Sequence, residues 1–393
     1  MSFFQIIFVI IQLLIVLHFI FPFLLFIVRS LTYKKKLAPD FNSLEVDYAI
    51  IVTAYQQTNL LPLVVDSILK LRYTNYLIYI VADSCDVSEL HFESDKVILL
   101  RPEEELASNT KSHFYAINRF RRNHERLTII DSDNLVHPEY LTELNKVFDK
   151  GFSAVQGVRE AKNLNTQYAC LDAAGDIYYR FADRLLLFDN GSSASLSGSG
   201  MAFTLALYKS CLEHLEISGA GFDKILQYEI LKRKLRIAFA DKAIVYDEKT
   251  SKSNQLVKQR ARWINTWFRF FVLGLKLFGL SVINFNKNQF LFSIMLLRPP
   301  LFILLILAFA CMVLSIFVVP LMVVIWIAAG LSFVYTFYKS LIYFNADRRI
   351  YSSLKSVPKF LFFQVLALFK ANKANKISVA TKHDQQSSIN DII

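Results

Sequence analysis

The chain has 393 residues, of which 54% are hydrophobic and 14% aromatic, and a formal net charge of +11 at pH 7. A mean hydropathy of +0.35 is too apolar for a soluble protein of this length, which leaves room for two domains or for one domain with membrane segments. The basic residues flank apolar runs, as expected beside an anionic membrane face, and the soluble part carries no basic-aromatic patch for nucleic acid. Four scattered cysteines (Cys85, Cys170, Cys211, Cys311) form no C-x-x-C pair, which argues against a zinc site or a disulfide framework and fits a reducing cytosolic compartment.

Phe3 to Val28 is almost continuously apolar and long enough to cross a bilayer, which takes about 20 residues. It lacks the basic start and the small-residue cleavage site of a signal peptide. Arg29 and Lys34-Lys35-Lys36 follow at once, so the positive-inside rule holds this flank in the cytosol and puts the N-terminus outside.

From Val46 the texture becomes a soluble α/β alternation. Strands are expected at 48–52, 77–81 and 97–100, with helices through Leu61 to Leu71 and around Lys111 to Arg122. Leu127-Thr-Ile-Ile130 then reads as a buried strand running into Asp131-Ser132-Asp133. Such alternation implies a parallel sheet with right-handed crossovers, and in open sheets of this kind ligands bind outside the C-terminal strand ends. Thr53 and Tyr55, Asp83, and Asp131 with Asp133 would converge there in a cleft suited to a nucleotide. Two carboxylates at i and i+2 can share one divalent cation and a phosphate-bearing ligand.

Further on the pattern is less regular. Ala154 to Gly157, with Arg159, looks like a strand and turn, and Leu196-Ser-Gly-Ser-Gly-Met-Ala-Phe203 like a structural glycine-serine turn entering a strand. Gly219-Ala-Gly-Phe-Asp223 opens an amphipathic helix, and 236–240 and 243–246 return to extended structure. Beyond Lys258-Gln-Arg-Ala-Arg-Trp263, the segment Ile264 to Ile283 mixes aromatic residues with Arg269 and Lys276. It reads as an interfacial amphipathic helix lying on the membrane, continued along that surface by 284–298. Leu301 to Val318 and Leu321 to Tyr343 are apolar enough to span, with Pro320 in the turn between them. Ser353 to Phe369 looks interfacial again, and the polar tail from Asn372 is expected to fray.

Asp83, the D-x-D pair, Asp223 and Gln259-Arg-Ala-Arg-Trp263, in this order, resemble the membrane-embedded family 2 glycosyltransferases, which include cellulose, chitin and hyaluronan synthases. The resemblance covers roughly residues 45 to 285. It implies a GT-A-type cytosolic α/β domain with a mostly parallel sheet, about three transmembrane helices, and interfacial amphipathic helices. The chain would divide into an N-terminal transmembrane helix (1–28), the cytosolic glycosyltransferase domain (29–263), interfacial helices (264–298), two transmembrane helices (299–343), and an interfacial helix with a polar tail (344–393).

The implied activity is inverting transfer of a sugar from a nucleotide sugar, with a UDP-sugar expected, to a growing polysaccharide at the cytosolic membrane face. Asp133 would hold Mg²⁺ or Mn²⁺, which neutralises the diphosphate leaving group as a Lewis acid, and Asp131 would contact the nucleotide or its sugar. Asp83 matches the uridine-contacting Asp, Tyr55 could stack on the base, and Lys111 matches a basic residue near the nucleotide or is a solvated helix-start lysine. Arg262 offers a bidentate clamp on the diphosphate, in the motif headed by Gln259. Trp263 offers a face to an acceptor sugar or anchors the interfacial helix.

Asp223 is the candidate general base. The family has Glu-Asp where this chain has Phe222-Asp223, which removes a supporting carboxylate. Glu229, on the same helix, is the fallback base or else a surface residue. Two other functions fit parts of the pattern: a glycolipid-forming enzyme that adds one sugar to a lipid acceptor, which fits so few spans, and a catalytically dead membrane scaffold, against which the intact carboxylates argue. Expected partners are the nucleotide-sugar donor, a carbohydrate or lipid-linked acceptor and membrane lipids, with no nucleic acid; an oligomer is compatible with the pattern. The expected location is multi-pass in a bacterial inner or plasma membrane.

Overall fold

The computed structural model describes residues 2–32, 45–217, 219–371 and 386–393. The basic run Lys34 to Lys36 and the part of the tail from 372 to 385 lie outside the described residues. Eight strands form one sheet in the order β3-β2-β1-β4-β7-β6-β8-β5. These are β1 (Tyr48–Tyr55), β2 (Tyr76–Asp83), β3 (Val97–Leu100), β4 (Arg126–Asp131), β5 (Leu135–Val136), β6 (Ala154–Ala161), β7 (Met201–Thr204) and β8 (Ala238–Asp247). Strands β3, β2, β1 and β4 run parallel, β7 is antiparallel to both β4 and β6, and β6 and β8 are parallel. A mostly parallel sheet is thus present, as the alternation predicts.

Side chains alternate across the sheet with period two. Ala49, Ile51, Tyr79, Val81, Leu127 and Ile129 point into one core, while Ile50, Val52, Ile78, Ile80 and Ile130 point into the other. Helices α2 (Leu61–Leu69) and α4 (Tyr140–Phe148) cover the second face; α3 (Asn109–Ile117), α7 (Leu205–Leu212) and α8 (Phe222–Lys232) cover the first. Both faces are buried, which is why β1, β2 and β4 read as continuous apolar runs.

Between β6 and β7 the chain forms α5 (Gln167–Arg180), a π-helical turn over Phe181–Leu186 and the short α6 (Leu187–Asp189). No strong periodicity announces this long helical segment in the sequence. It joins the sheet to the apolar helices: Asn190 Nδ2 donates to the carbonyl of Leu25 in α1 (Phe3–Thr32) at 2.9 Å, and Arg29 pairs with Asp189 at 2.6 Å.

Helix α9 (Ser253–Ile283) is a single helix of 31 residues, so the expected boundary at residue 263 falls inside it. It is followed by α10 (Lys287–Leu297), α11 (Leu301–Val318), α12 (Leu321–Tyr343), α13 (Arg348–Ser353) and α14 (Val357–Lys370). Among the described residues, α1, α9, α11 and α12 are each long and apolar enough to cross a membrane. Exposed positions Phe268, Val272, Leu275 and Val282 make an apolar stripe along α9, the pattern of an interfacial helix.

Helices α1, α11 and α12 pack together through Val16, Phe19, Leu304, Ala308, Met322 and Trp326. Gln12 Oε1 accepts from both Ser315 Oγ and Trp326 Nε1 at 2.6 Å, the kind of polar contact that fixes helices in an apolar surround. Pro320 caps the start of α12, as expected.

The final residues correct the expectation of a fraying tail. Ile389 is fully buried in the α2/α4 core, and Asn390 accepts from Lys70 Nζ at 3.2 Å. Two isoleucines (Ile389, Ile392) and a Ser388–Asp391 capping box give this short turn an apolar face and a stable start.

Gly157 marks the tightest point of the sheet. A Cβ there would lie 2.5 Å from the Ala243 carbonyl oxygen and 3.0 Å from that of Gly200. Both are backbone atoms, so Gly157→Ala is expected to destabilise the protein by ~1–3 kcal/mol, the usual range for overpacking. Thermal unfolding of the detergent-solubilised variant measures this, and a wild-type melting temperature would contradict it.

Candidate active site

The strand register gathers Thr53, Tyr55, Asp83 and Asp131 at one sheet edge. Thr53 is paired with Asp131 across β1 and β4, and Tyr55 with Asp83 across β1 and β2. Parallel strands in register end at one level, so their polar termini share one cleft.

Asp83 is 2% exposed, and its two carboxylate oxygens accept the N–H groups of Leu106 (3.0 Å) and Ala107 (2.8 Å). It anchors the 101–108 loop. Tyr55 donates from its hydroxyl to Glu105 Oε1 at 2.5 Å. An open cleft of about 710 Å³ lies beside them, lined in part by Ser84, Arg101 and Glu105. Lys111 sits on the exposed first turn of α3, and its side chain makes no hydrogen bond among the described residues. The structure does not tie it to the strand ends.

The Asp131-Ser-Asp133 turn is held from beneath. Ser199 Oγ accepts the Asp131 N–H (3.1 Å) and donates to Asn134 Oδ1 (2.6 Å). Asn134 Nδ2 reaches Asp133 Oδ1 (3.2 Å) and Asp247 Oδ1 (3.5 Å). The Gly198-Ser-Gly200 loop that supplies Ser199 has positive φ at both glycines, +89° and +65°, a conformation costly for other residues. Gln156 Nε2 clamps it by donating to the carbonyls of Ser199 and Gly200, each at 3.2 Å. This loop is structural, as the sequence suggests, yet it sets the position of the carboxylate pair.

Beneath the turn lies an ionic cluster that sequence reasoning missed. Arg159 Nη2 donates to Asp247 Oδ2 at 2.5 Å; Lys249 pairs with the same oxygen at 3.0 Å and with Asp176. Burial opposes ionisation of Asp176 and Asp247, but the charges of Lys249 and Arg159 outweigh it and hold both carboxyls below the usual carboxylate range. Of its members the sequence singles out Arg159 alone, beside the strand and turn at 154–157. The other members are far apart in sequence, and no spacing joins them.

The same cluster positions the Gln259-to-Trp263 motif at the start of α9. Thr250 Oγ1 donates to Gln259 Oε1 at 2.9 Å, and the Thr250 N–H donates to Asp172 Oδ2 at 3.3 Å. Asp172 also pairs with Arg260, whose guanidinium lies 4.1 Å from the centroid of the Trp263 ring. Arg260 is therefore the buried, structural arginine of the motif, while Arg262 is less deeply buried. Trp263 is 45% exposed, with one ring face taken by Arg260.

Asp223 stands in the first turn of α8, where the helix N-terminus favours a carboxylate. Its Oδ2 is 3.1 Å from Lys224 Nζ. The N-cap Gly221 has φ +101°, and a side chain there would collide with Phe270 and Thr266 of α9. The start of α8 also touches the loop beneath the carboxylate pair: Lys224 Nζ donates to the Leu196 carbonyl (3.4 Å), and the Leu196 N–H to Gln227 Oε1 (3.2 Å). Asp223, the carboxylate pair and the α9 motif thus rest on one framework. Glu229 is 9% exposed and pairs with Arg233 at 2.6 Å, so the expectation of a surface residue is corrected. It is tied into α8 because the i, i+4 spacing brings the two together.

A hard divalent cation takes oxygen ligands and tolerates ligands from substrate phosphates. Asp131 and Asp133 supply carboxylate oxygen. Among the described residues no group of three or more His, Cys, Asp or Glu side chains gathers to hold a metal. This donor set fits a cation that completes its coordination on a diphosphate.

A family model described as "Glycosyltransferase like family 2" matches residues 46–266, more than half of the chain. The chain belongs to this glycosyltransferase family. The mannosyltransferase PcManGT from Pyrobaculum calidifontis, in complex with GDP-Man and Mn²⁺, is a similar solved structure, with 13% identity over 92% of this chain and 98% of that one and a TM-score of 0.55. At that identity the likeness is one of fold, GT-A-like α/β. TarS 1–349 from S. aureus, in complex with UDP-GlcNAc, is more distant, with 13% identity over 84% of this chain and 90% of that one and a TM-score of 0.44. No curated protein matches the chain.

Asp133→Ala is expected to abolish Mn²⁺- or Mg²⁺-dependent binding of a nucleoside diphosphate, measured by calorimetry on the full-length protein. Undiminished binding by that variant, or full transfer in excess chelator, would sink the assignment.

Proposed function

We propose that this glycosyltransferase is an inverting enzyme that moves a sugar from a nucleotide sugar, with a UDP-sugar the expected class, to an acceptor at the cytosolic membrane face. A growing polysaccharide is the first acceptor class. What supports this most is the common framework: the loop 196–200 that holds the Asp131-to-Asp133 turn also receives the start of α8, where Asp223 stands. The presence of GDP-Man and Mn²⁺ in the similar PcManGT structure supports a nucleotide-sugar donor and a divalent cation.

In this mechanism Asp223 takes the proton of the acceptor hydroxyl as that oxygen attacks the anomeric carbon from the side opposite the leaving diphosphate. Arg262 presents a planar fork to the diphosphate oxygens as their charge grows. Asp131 and Asp133 would hold Mg²⁺ or Mn²⁺, which supplies Lewis-acid neutralisation of the leaving group. Asp83 keeps the 101–108 loop in place beside Tyr55, where the base of the nucleotide would lie.

A lipid-linked acceptor is the second class, and one observation favours it. An apolar groove of about 670 Å³ runs between α1 and α12, lined among others by Phe23, Phe26, Ile27, Leu331, Tyr335 and Tyr338.

General-base catalysis contributes ~10²–10⁴ in rate, so Asp223→Asn should slow transfer by about that factor while donor affinity barely moves. Arg262→Lys should weaken donor binding and slow transfer together, since a point charge replaces a fork. Glu229→Gln, which loses the charge half of the partly exposed Glu229–Arg233 pair, should lower thermal stability slightly and leave the rate per folded molecule intact. If Glu229→Gln stops transfer while Asp223→Asn does not, the base is Glu229.

Orientation has its own test. Impermeant thiol labelling of single cysteines in intact cells should reach the N-terminus and the turn at Pro320, with sites near Asp133 protected until the membrane is opened. Labelling near Asp133 in intact cells would invert the topology.

A further inference from the structure

Asp83 is the carboxylate that the resemblance assigns to the base of the nucleotide, but the protein itself occupies it. It is buried, and its two oxygens accept the N–H groups of Leu106 and Ala107. Its backbone carbonyl accepts a further N–H, from Gln56, at 3.1 Å. The carboxylate open to a ligand at this place is Glu105. It is exposed, its Oε1 accepts the Tyr55 hydroxyl, and its Oε2 has no hydrogen-bond partner among the described residues.

Glu105 is held in place. Gln56 Nε2 donates to the Tyr55 hydroxyl oxygen at 3.1 Å, which leaves the phenolic proton for Glu105. The hydrogen bond to Glu105 pushes the Tyr55 pKa up to about 12, so at neutral pH the tyrosine stays the donor of this pair. The backbone around it is strained as well. Gln56, Ser84 and Ala107 have φ of +58°, +50° and +44°, half of the six non-glycine residues with positive φ among the described residues. Such strain persists where the surroundings enforce it, and it gathers at ligand clamps.

Charge narrows the ligand. The cleft beside Tyr55 is lined by Asp86, Glu103, Glu104 and Glu105 and, among the described residues, by one cation, Arg101. Excess carboxylate repels a diphosphate and suits a neutral group that presents N–H donors. The diphosphate belongs with Asp131, which pairs with Thr53. Tyr55 lies two residues further along β1, about 7 Å away, a gap that a ribose bridges.

We propose that Glu105, not Asp83, selects the nucleobase of the donor: its free oxygen accepts the ring N–H of uracil while Tyr55 holds the other oxygen. This rests on the nucleotide-sugar reading given above. An ionised carboxylate only accepts hydrogen bonds. Uracil presents N3–H at the middle of its pairing edge. Cytosine and adenine present a bare ring nitrogen there, lone pair against lone pair, and the base would have to shift sideways to offer its amino group. Discrimination of this kind comes from repulsion of the wrong partner as much as from attraction of the right one. Guanine offers two adjacent N–H groups and needs both carboxylate oxygens, one of which Tyr55 occupies.

The test is calorimetry on the full-length protein in dodecyl maltoside micelles with Mn²⁺, titrated with UDP, CDP, GDP and ADP. Wild type should bind UDP at least about tenfold more tightly than each of the others, the scale of one hydrogen bond to a charged group. Glu105→Gln should cut the preference for UDP over CDP by about tenfold, because an amide can turn to accept or to donate. Its melting temperature should be unchanged, since the position is exposed. Glu105→Ala should lose the preference equally, and Glu104→Gln, which removes a neighbouring charge, should keep it. A merely structural Glu105 predicts another pattern: UDP and CDP weakened alike, their ratio preserved and the melting temperature lowered.

Equal, Mn²⁺-dependent binding of UDP and CDP by wild type would overturn the base assignment and leave the donor site standing. Absence of metal-dependent binding of any nucleotide would overturn both. An undiminished preference in Glu105→Gln, or the same loss in Glu104→Gln, would also overturn the proposal. Tighter binding of GDP than of UDP would remove the choice of uracil. Loss of the preference in Asp83→Asn at an unchanged melting temperature would return the base to Asp83.

Discussion

The arrangement depends on one buried carboxylate, Asp247 at the end of β8. It receives Arg159 from β6, Lys249 from its own strand end and Asn134 from the turn after β4. Ion pairs of this kind contribute little net stability when replaced as a whole, but breaking one partner leaves a charge stranded in a poor solvent. The value of the cluster is positional. Through Asn134 it fixes Asp133, and through the segment 249–250 it fixes Gln259, Asp172 and Arg260. Two motifs more than a hundred residues apart thereby share one rigid base.

The parts legible in the sequence are those governed by short-range pattern. Strand β3 was predicted at its observed bounds, and β1, β2 and β4 within a few residues, because a doubly covered parallel sheet writes itself as unbroken apolar runs. Helices α11 and α12 were legible for the same reason, as uniform apolar stretches separated by Pro320. Segments 140–148, 167–189 and 205–212 were not assigned. In 167–189 the buried Asp172, Arg180, Asp183 and Arg184 sit among apolar residues, so periodicity is blurred where tertiary pairing has replaced hydrophobic burial, while 140–148 and 205–212 are helices of only two turns or so. Asp172, Asp183 and Arg180 look like surface residues in the sequence and lie in the interior.

The candidate site divides in the same way. The carboxylates at strand ends could be named because the strand direction dictates where they fall. Their supports could not: Ser199, Asn134 and Gln156 are ordinary polar residues whose importance comes from long-range register. The Gln259-to-Trp263 motif was found as a unit, but the division of labour between its two arginines required the structure. Arg260 faces Asp172, and Arg262 is the less buried of the two.

The docking of Ile389 beside α2 bears on biogenesis. Chains are made from the N-terminus, and domains generally form as units in that order. Here the face of β1 and β2, built from the earliest soluble residues, acquires a side chain encoded after α11 and α12. That seam of the catalytic unit therefore closes only after α11 and α12 have been made. A chain stopped before Ile389 would keep an open apolar notch between α2 and α4, so the packing of this one side chain couples the earliest strands of the sheet to residues made more than three hundred positions later.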